Sequence, residues 1–528
     1  MCVNSYLISG GVYPAIAKLS LPYLLNMRKI LLFIICMVFA GKLSAQTQYN
    51  IVFILSDDHR YDAMGFMDKF KGLKTPNMDM MAAQGAHIRN AFVATALCSP
   101  SRASILTGLY PHAHTVVDNQ SPVPENLRFF PEYLKQKGYQ TAFLGKWHMG
   151  TGGEKKQKGF DYWVSFRGQG IYYNPTLFVN GETKVFKDSA YVTDLLTDYT
   201  IDFLDKRNKS KPFFIYLSHK GVHDGFQAAR RHKGMYKSLV FEAPPSMFIT
   251  ATDTAKYMDL WKEKGNNKMQ GGYPVNQNDI PRWVRHQRYS WHGVDFMYHG
   301  ARTFMDFYPA YLETLMGVDE SIGTVISYLK SNDLLKNTVV FYMGDNGFSF
   351  GEHGLIDKRH AYEESMRVPL LVYAPSFIQP STKVDQVIQN VDIAPTILNM
   401  AGITKPVQLQ GSSFLPLLKK EPLEWRDRAF YEYYWEYDFP QTPSMFAVRT
   451  DQYKYIYNYG IWDTNELYDL KADPYEMNNL INKPEHKQRA LGFRKEIFNW
   501  LDQTGGMQIP LRPLGNQSRS DHIFKGRY

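Results

Sequence analysis

Cysteine is scarce in this chain, with three residues among 528. Cys2 and Cys36 lie in an N-terminal segment that we expect to be removed, so the mature protein would hold the single thiol of Cys98 and no internal disulfide. A lone cysteine in so long a chain is often a small buried apolar side chain, and only its neighbours can indicate another role. Since 44% of the residues are hydrophobic and 21% are charged, the composition is that of a globular protein and excludes disorder as the default state.

Long basic runs and internal repeats are also missing. Residues 1–45 carry four Lys and Arg residues and no acid, so the formal net charge of +9 falls to +5 without them. That mild charge suits a polyanionic substrate, whereas the lack of a Lys/Arg-rich run argues against a nucleic-acid partner. Aromatic residues make up 15% of the chain, which fits either a large core or surfaces that stack on sugars.

The N-terminal segment has the pattern of a secretory signal peptide. A basic start at Met27 is followed by an apolar run over residues 30–40 and by small residues up to Ala45, where we place the cleavage site. Residues 1–26 precede that start and are treated as an upstream segment. Because the apolar run is too short for a confident membrane span, we expect an exported, periplasmic protein whose mature chain has no membrane span.

Four short apolar runs each end in residues that can do chemistry. They are 51–55 before Ser-Asp-Asp-His, 141–144 before Gly-Lys-Trp-His, 213–217 before Ser-His-Lys and then His223, and 339–343 before Gly-Asp-Asn. Apolar runs of this length, separated by helical stretches, are typical of parallel strands covered on both faces. Ligands in such sheets bind beyond the carboxyl ends of the strands, so we expect these polar residues to share a site.

The pattern of residue types in the other segments predicts a catalytic α/β domain over residues 46–420 and a smaller C-terminal part. Helical spacing is seen over 191–205 and 311–329. Residues 225–300 are polar and punctuated by Gly and Pro, which predicts an insertion near the active site. Residues 421–528 contain alternating segments followed by a helical pattern, and therefore predict an α+β subdomain with an antiparallel sheet.

Two pairs of oxygen ligands follow the first and last of these strands. Asp57 and Asp58 are adjacent, and Asp345 precedes Asn346. An Asp-Asp pair by itself is often an exposed turn or a helix cap. Four hard oxygen ligands gathered from two strand ends, however, suit Ca²⁺, which prefers six to eight oxygens.

The segment from Cys98 to Gly108 reads Cys-Ser-Pro-Ser-Arg-Ala-Ser-Ile-Leu-Thr-Gly. It predicts a short helix opened by its proline and stopped by Gly108, with Arg102 one turn after Cys98 on the same face. The segment resembles the modification signature of the type I sulfatases, in which a maturation enzyme oxidises the cysteine to formylglycine and the hydrate of this aldehyde is the nucleophile. The resemblance extends over about residues 50–375. It implies an alkaline-phosphatase-like fold, with a large mixed sheet sandwiched by helices and a small α+β C-terminal domain.

The same resemblance implies the composition of the active site. One Ca²⁺ ion would be held by the formylglycine at position 98 and by Asp57, Asp58, Asp345 and Asn346. Arg102 would hold the hydrated residue, and Lys146 and Lys358 would bind sulfate oxygens. His148 would contact the formylglycine hydroxyl and act as the base of the second step. His223 would be the general acid that protonates the leaving sugar oxygen, with His219 as a nearby alternative.

The substrate is indicated by loop similarity. Residues 351–365 resemble carbohydrate sulfatases, and residues 96–108 and 357–359 are similar to N-acetylglucosamine-6-sulfatases. We therefore expect an exo-acting enzyme on glycosaminoglycan or mucin-type glycans, with 6-O-sulfated N-acetylglucosamine as substrate and His353, Arg359 and His360 as sugar contacts. Three alternatives stay open: another regiospecificity (4-O, 3-O or 2-O), a phosphonate or phosphate ester hydrolase, and a glycan-binding protein without activity.

Overall fold

The computed structural model describes residues 48–150, 152–248, 269–271, 279–290, 292–294 and 304–508. The upstream segment and the signal peptide lie outside the described residues, as does much of the predicted insertion. Among the helices of the described ranges, none is both long enough and apolar enough to cross a membrane.

The strands are numbered in chain order. They are β1 Asn50–Ser56, β2 Ala86–Ile88, β3 Ala91–Phe92, β4 Gln140–Gly145, β5 Tyr162–Ser165, β6 Thr176–Val179, β7 Glu182–Val185, β8 Phe213–Ser218, β9 Phe241–Ala243, β10 Met269–Gly271, β11 Thr338–Gly344, β12 Ser349–Phe350, β13 Ile356–Asp357, β14 Leu370–Tyr373, β15 Thr382–Val384, β16 Ile388–Gln389, β17 Arg428–Tyr433, β18 Ser444–Thr450, β19 Tyr453–Tyr459 and β20 Glu466–Asp469.

The α-helices are numbered in the same way. They are α1 Pro76–Gln84, α2 Cys98–Thr107, α3 Pro111–His114, α4 Phe130–Gln136, α5 Val192–Lys206, α6 Arg282–Gln287, α7 Phe304–Ser331, α8 Glu363–Met366, α9 Ile393–Met400, α10 Leu415–Leu418 and α11 Lys487–Thr504.

A ten-stranded mixed sheet is the centre of the fold, in the order β15-β2-β14-β11-β1-β8-β4-β5-β6-β7. The four strands predicted from apolar runs, β11, β1, β8 and β4, are neighbours and run parallel. Their carboxyl ends therefore meet at one edge, as predicted. On one side, β14 pairs antiparallel with β11, and β2 pairs antiparallel with β14. On the other side, β5 pairs parallel with β4, and the antiparallel pairs β5–β6 and β6–β7 follow. These flanking strands are only three or four residues long. Segments this short carry little periodic signal in the sequence.

Both faces of the sheet are buried, which explains why its central strands are apolar throughout. In β1, Ile51, Phe53 and Leu55 belong to one core cluster, whereas Val52 and Ile54 belong to the other. Helices α2, α4 and α9 cover the first face, and α1, α5 and α7 cover the second. The central strands therefore cannot alternate polar and apolar residues, because neither face meets water.

The C-terminal residues form a second sheet of four antiparallel strands in the order β17-β18-β19-β20. Phe493, Ile497 and Trp500 of helix α11 pack on one face of this sheet. Tyr431 and Ala447 on its other face join the core of the main sheet. The predicted antiparallel sheet and closing helix are confirmed, and the C-terminal sheet lies against the region that carries the strand ends.

Gly145, the last residue of β4, shows how closely the strand ends approach one another. Its φ is +115°, and a Cβ atom there would lie 1.8 Å from the carbonyl oxygen of Ser218 at the end of β8. Only glycine fits, because an L-residue would combine an unfavourable backbone conformation with a collision against backbone.

We expect Gly145→Ala to destabilise the protein by more than about 2 kcal/mol, since backbone strain and a backbone clash act together. Urea unfolding followed by circular dichroism measures the change. Gly138→Ala is the matched control, because Gly138 has a similar φ of +97° and a Cβ atom added there would meet nothing within 4 Å. Equal losses of stability in the two variants would show that the clash at Gly145 contributes nothing.

Candidate active site

Two adjacent strand ends bring the predicted oxygen ligands together. β1 and β11 pair in parallel to their last residues, so Asp57 and Asp58 face Asp345 and Asn346. The amide of Asp58 donates to Asp345 Oδ1 at 3.0 Å, and Asn346 Nδ2 donates to Asp58 Oδ1 at 2.7 Å. All four side chains are buried. Carboxylate oxygens of Asp57, Asp58 and Asp345 lie within 4.8 Å of one another, which is the spacing of groups that can share a cation.

Helix α2 places Cys98 and Arg102 at this cluster. Cys98 is the first residue of the helix, and its Sγ lies 3.5 Å from Asp57 Oδ1. Arg102 follows one turn later, and its Nε donates to Asp345 Oδ2 at 2.9 Å. The helix ends at Gly108 with a φ of +67°, as its sequence predicts.

Two lysines complete the charges of the site. The ammonium group of Lys146 donates to Asp57 Oδ2, and that of Lys358 donates to Asp58 Oδ1. Lys358 Nζ also lies 3.3 Å from Cys98 Sγ. Together with Arg102, the lysines offset the charge of the three carboxylates, all of which are buried. Such buried charges are tolerated only when they are paired.

The pKa values of the carboxylates differ because their neighbours differ. Burial opposes ionisation of Asp57, but Lys146 and its cationic neighbours outweigh burial and hold the pKa of Asp57 well below its usual value. Burial raises the pKa of Asp58 to about 7; Lys358 opposes this shift, and the charges of Asp57 and Asp345 add to it. A further cation beside Asp58 would favour its ionised form.

Cys98 is badly placed to react as a thiol. Burial, reinforced by the negative charge of Asp57, raises its pKa to about 12, although Lys146 and Lys358 act in the opposite direction. A thiol with such a pKa is protonated at neutral pH, whereas the thiolate is the reactive form. The encoded side chain is therefore a poor nucleophile.

The structure places His223 and His219, the two candidates for the general acid, in different surroundings. His223 Nε2 lies 3.9 Å from Asp58 Oδ2, and the side chain is part-exposed. His219 is fully buried, and neither ring nitrogen has a hydrogen-bond partner among the described residues. Burial lowers the pKa of His219 to about 3, and the charged group that partly opposes this is Asp194 on helix α5, not one of the cluster. The geometry therefore favours His223.

His148 also reaches the cluster. Its Nδ1 lies 3.5 Å from Ser99 Oγ, and Ser99 follows Cys98 in helix α2. Burial and the charge of Lys146 hold the pKa of His148 well below its usual value. The imidazole is thus neutral at pH 7 and can accept a proton.

The three predicted sugar contacts are near Lys358 in the sequence and are buried. His353 stacks on Tyr362 with ring centroids 3.8 Å apart. His360 Nε2 lies 3.2 Å from Ser349 Oγ. Arg359 donates from Nε to Glu436 Oε1 at 2.9 Å. Their role towards a sugar stays a prediction.

The sequence analysis missed two serines that hold the charged residues in place, and a buried lysine near the site. Ser218 Oγ accepts a hydrogen bond of 2.6 Å from Arg102 Nη1, and the hydroxyl of Ser101 donates to the carbonyl of Asp345.

Lys220 is buried over the ring of Tyr172, with Nζ 4.6 Å from the ring centroid. Burial and the charge of Lys146 lower the pKa of Lys220 to about 8. Its position between His219 and His223 was the available signal.

The oxygen donors fit a hard cation. Asp58 Oδ2 and Asn346 Oδ1 are buried, and within the described part of the chain they have no hydrogen-bond partner. Leaving such acceptors without a donor is costly, and coordination of a cation would satisfy both.

An α/β sheet whose strand ends carry oxygen ligands that could hold a cation, with two lysines beside a buried cysteine, is suited to binding an anionic ester. Comparison with known proteins agrees. Residues 49–403 match the family model for Sulfatase, and residues 351–503 match the one for N-sulphoglucosamine sulphohydrolase, C-terminal. The chain belongs to the sulfatase family and is a sulfuric ester hydrolase.

Relatives match over nearly the whole chain. The protein is 34% identical over 516 residues to an N-acetylglucosamine-6-O-sulfatase of Bacteroides thetaiotaomicron. The match covers 90% of this chain and 89% of the relative. It is 30% identical to an N-acetylglucosamine-6-sulfatase of Capra hircus over 84% of this chain and 82% of the relative. A solved protein in complex with its substrate D-glucosamine-2-N,6-O-disulfate superposes with a TM-score of 0.74 at 31% identity, covering 88% of this chain and 100% of that chain.

Proposed function

We propose that the protein is an exported, periplasmic carbohydrate sulfatase that removes 6-O-sulfate from N-acetylglucosamine residues of glycosaminoglycan or mucin-type glycans. The observation that carries this proposal is the placement of Cys98 between Asp57 and Lys358, with both contacts at 3.5 Å or less. A residue in this position can be held by a cation on one side and meet a sulfate group on the other. The predicted signal peptide supports export.

Formylglycine at position 98 is the proposed nucleophilic residue, made by a maturation enzyme of the producing cell. Its hydrate supplies two hydroxyl groups on one carbon, one to attack sulfur and one to release sulfate. The raised pKa of the Cys98 thiol supports this modification, because the unmodified side chain would stay protonated. Arg102, fixed by Asp345 and Ser218, orients the modified residue.

The two lysines have the geometry to bind sulfate. Lys146 and Lys358 approach Cys98 from the sides of Asp57 and Asp58, respectively. With a cation bound to the carboxylates, these ammonium groups would be available to sulfate oxygens. The positive charge of the two lysines would favour an anionic ester over a neutral one.

His148 and His223 divide the proton transfers. His148 is neutral at pH 7 and can take a proton from the residue at position 98. Burial, then Lys146, holds the pKa of His223 well below its usual value in the free enzyme. An anionic ester bound beside His223 raises that pKa again, which allows its imidazole to carry the proton that the leaving sugar oxygen takes up.

Ca²⁺ is the proposed cation, held by Asp57, Asp58, Asp345, Asn346 and the modified residue 98. The donor set supports a hard, oxygen-seeking ion, and two of its oxygens lack any other partner among the described residues. When bound, the ion lowers the pKa of a hydroxyl in its coordination sphere.

The substrate assignment rests on the two sulfatases that act on N-acetylglucosamine 6-sulfates by name, and on the complex with a 6-O-sulfated glucosamine. His353, Arg359 and His360 remain our candidates for sugar contacts.

The modification predicts a mass change at residue 98. A peptide containing this residue, from active enzyme, should weigh about 18 Da less than the cysteine form, or match its hydrate. Cys98→Ser should lose activity by on the order of 10³-fold or more. Protein produced without a maturation enzyme is the control and should retain the thiol and be inactive. Full activity with an intact thiol would contradict the proposed nucleophile.

Removal of the cation should lower both stability and activity. Chelator-treated protein should unfold at a lower temperature, and Ca²⁺ at about 100 times its Kd should restore roughly 2.7 kcal/mol. Asp58→Asn should reduce this Ca²⁺-dependent shift. Asp333→Asn, an exposed position, is the control and should leave the shift unchanged. A melting temperature that does not respond to Ca²⁺ in the unaltered protein would argue against the proposed ion.

A panel of sulfated sugars tests the substrate. We expect 6-O-sulfated N-acetylglucosamine to give the highest kcat/KM, with the 4-O-, 3-O- and 2-O-sulfated sugars at least about 100-fold lower. A phosphate ester with the same leaving group distinguishes a phosphate or phosphonate ester hydrolase. Preference for the phosphate ester, activity on another sulfate position alone, or binding without any turnover would each overturn the assignment.

A further inference from the structure

The segment that carries Lys358 has an unusual backbone. Asp357 and Arg359 have φ values of +83° and +85°, a region that residues other than glycine rarely adopt. Lys358 lies between them and reaches Cys98 Sγ at 3.3 Å. A tripeptide of this kind keeps its shape only if the surrounding contacts hold it.

Arg359 makes contacts that can supply this support. Its Nε donates to Glu436 Oε1 at 2.9 Å, and its guanidinium lies 3.5 Å from the centroid of the Phe439 ring. Its Nη1 donates to Asp357, two residues earlier. Its backbone amide donates to the carbonyl of Ala96 at 3.2 Å, two residues before Cys98. Arg359 thus connects the tripeptide to the nucleophile segment.

Glu436 is the acidic partner that comes from the C-terminal region. It follows strand β17, is 6% exposed, and its Oε1 also accepts a hydrogen bond of 2.8 Å from the hydroxyl of Tyr433. His292 Nδ1, from the predicted insertion, lies 2.8 Å from Asp357 Oδ2. Contacts from two distant parts of the sequence therefore converge on residues 357–359.

We infer that Glu436 is a positioning residue that acts through Arg359 to fix Lys358 for sulfate binding. The carboxylate neutralises the buried guanidinium and fixes its direction, and Arg359 holds the backbone of the tripeptide. Without this charge, Arg359 has only Asp357 as an ionic partner among the described residues, and the left-handed backbone on either side of Lys358 loses its support. The inference rests on the proposed function, because it assumes that Lys358 binds sulfate.

Glu436→Gln tests the inference with a change that preserves size. We expect KM for the sulfated sugar, and the inhibition constant of inorganic sulfate, to rise about tenfold, with kcat within about twofold, since binding of the sulfate group is what is lost. Tyr433→Phe removes only the hydroxyl that donates to Glu436 and should raise both constants about two- to threefold. This milder variant keeps the test valid if Glu436→Gln does not fold.

Glu432→Gln is the matched control for a merely structural effect. Glu432 lies in strand β17, is fully buried, and pairs with His112 Nδ1 at 2.9 Å and with the hydroxyl of Tyr434 at 2.8 Å. This variant should lower the melting temperature without changing KM. The inference is overturned if Glu436→Gln leaves KM and sulfate inhibition unchanged, or if Glu432→Gln raises both equally.

Lys358→Ala separates this inference from the proposed function. If the unaltered enzyme hydrolyses no sulfate ester, or if Lys358→Ala leaves sulfate inhibition unchanged, the proposed function or its assignment of Lys358 fails. If Lys358→Ala weakens sulfate inhibition and Glu436→Gln does not, only the positioning role fails.

Discussion

The meeting of three buried carboxylates at the ends of β1 and β11 is the constraint on which the rest of the site depends. Because the two strands pair in parallel to their last residues, Asp57, Asp58 and Asp345 are held close together. Because these carboxylates are buried, their repulsion must be offset by positive charge. Arg102 from a helix, Lys146 from a neighbouring strand end and Lys358 from a loop supply that charge. The fold thus brings three separate segments to one point.

This balance of charge also sets the chemistry. The same burial that raises the pKa of Cys98 and Asp58 lowers that of His148 and His223. A neutral imidazole can accept a proton, whereas a protonated thiol cannot attack. The site is therefore suited to a residue at position 98 that does not rely on an ionised thiol, which is the property that the proposed formylglycine would supply.

Much of the central sheet could be predicted from the sequence, and the physical reason is clear. The central strands have both faces buried, so each is a run of apolar residues that stands out from the sequence and ends where chemistry occurs. The short edge strands such as β2 and β14 carry no such pattern. Pairings between distant residues, such as Arg102 with Ser218 or Arg359 with Glu436, depend on how elements pack and left no local signal. The sequence analysis named His223, with His219 as its alternative. That His223 lies near Asp58 and His219 does not depends on the direction of each side chain after β8, which spacing alone does not give.

Burial of Cys98 also limits the stage of folding at which the proposed oxidation of its side chain could occur. Its side chain is 0% exposed, at the start of a helix whose residues are all buried. The maturation enzyme that we propose would have to contact the thiol directly, whereas in the folded protein the thiol is in contact with Asp57 and Lys358 and is buried at the start of helix α2. Oxidation would therefore have to precede folding of helix α2 against the sheet. The buried charged residues that we propose to bind sulfate would then also block access of the proposed maturation enzyme to residue 98.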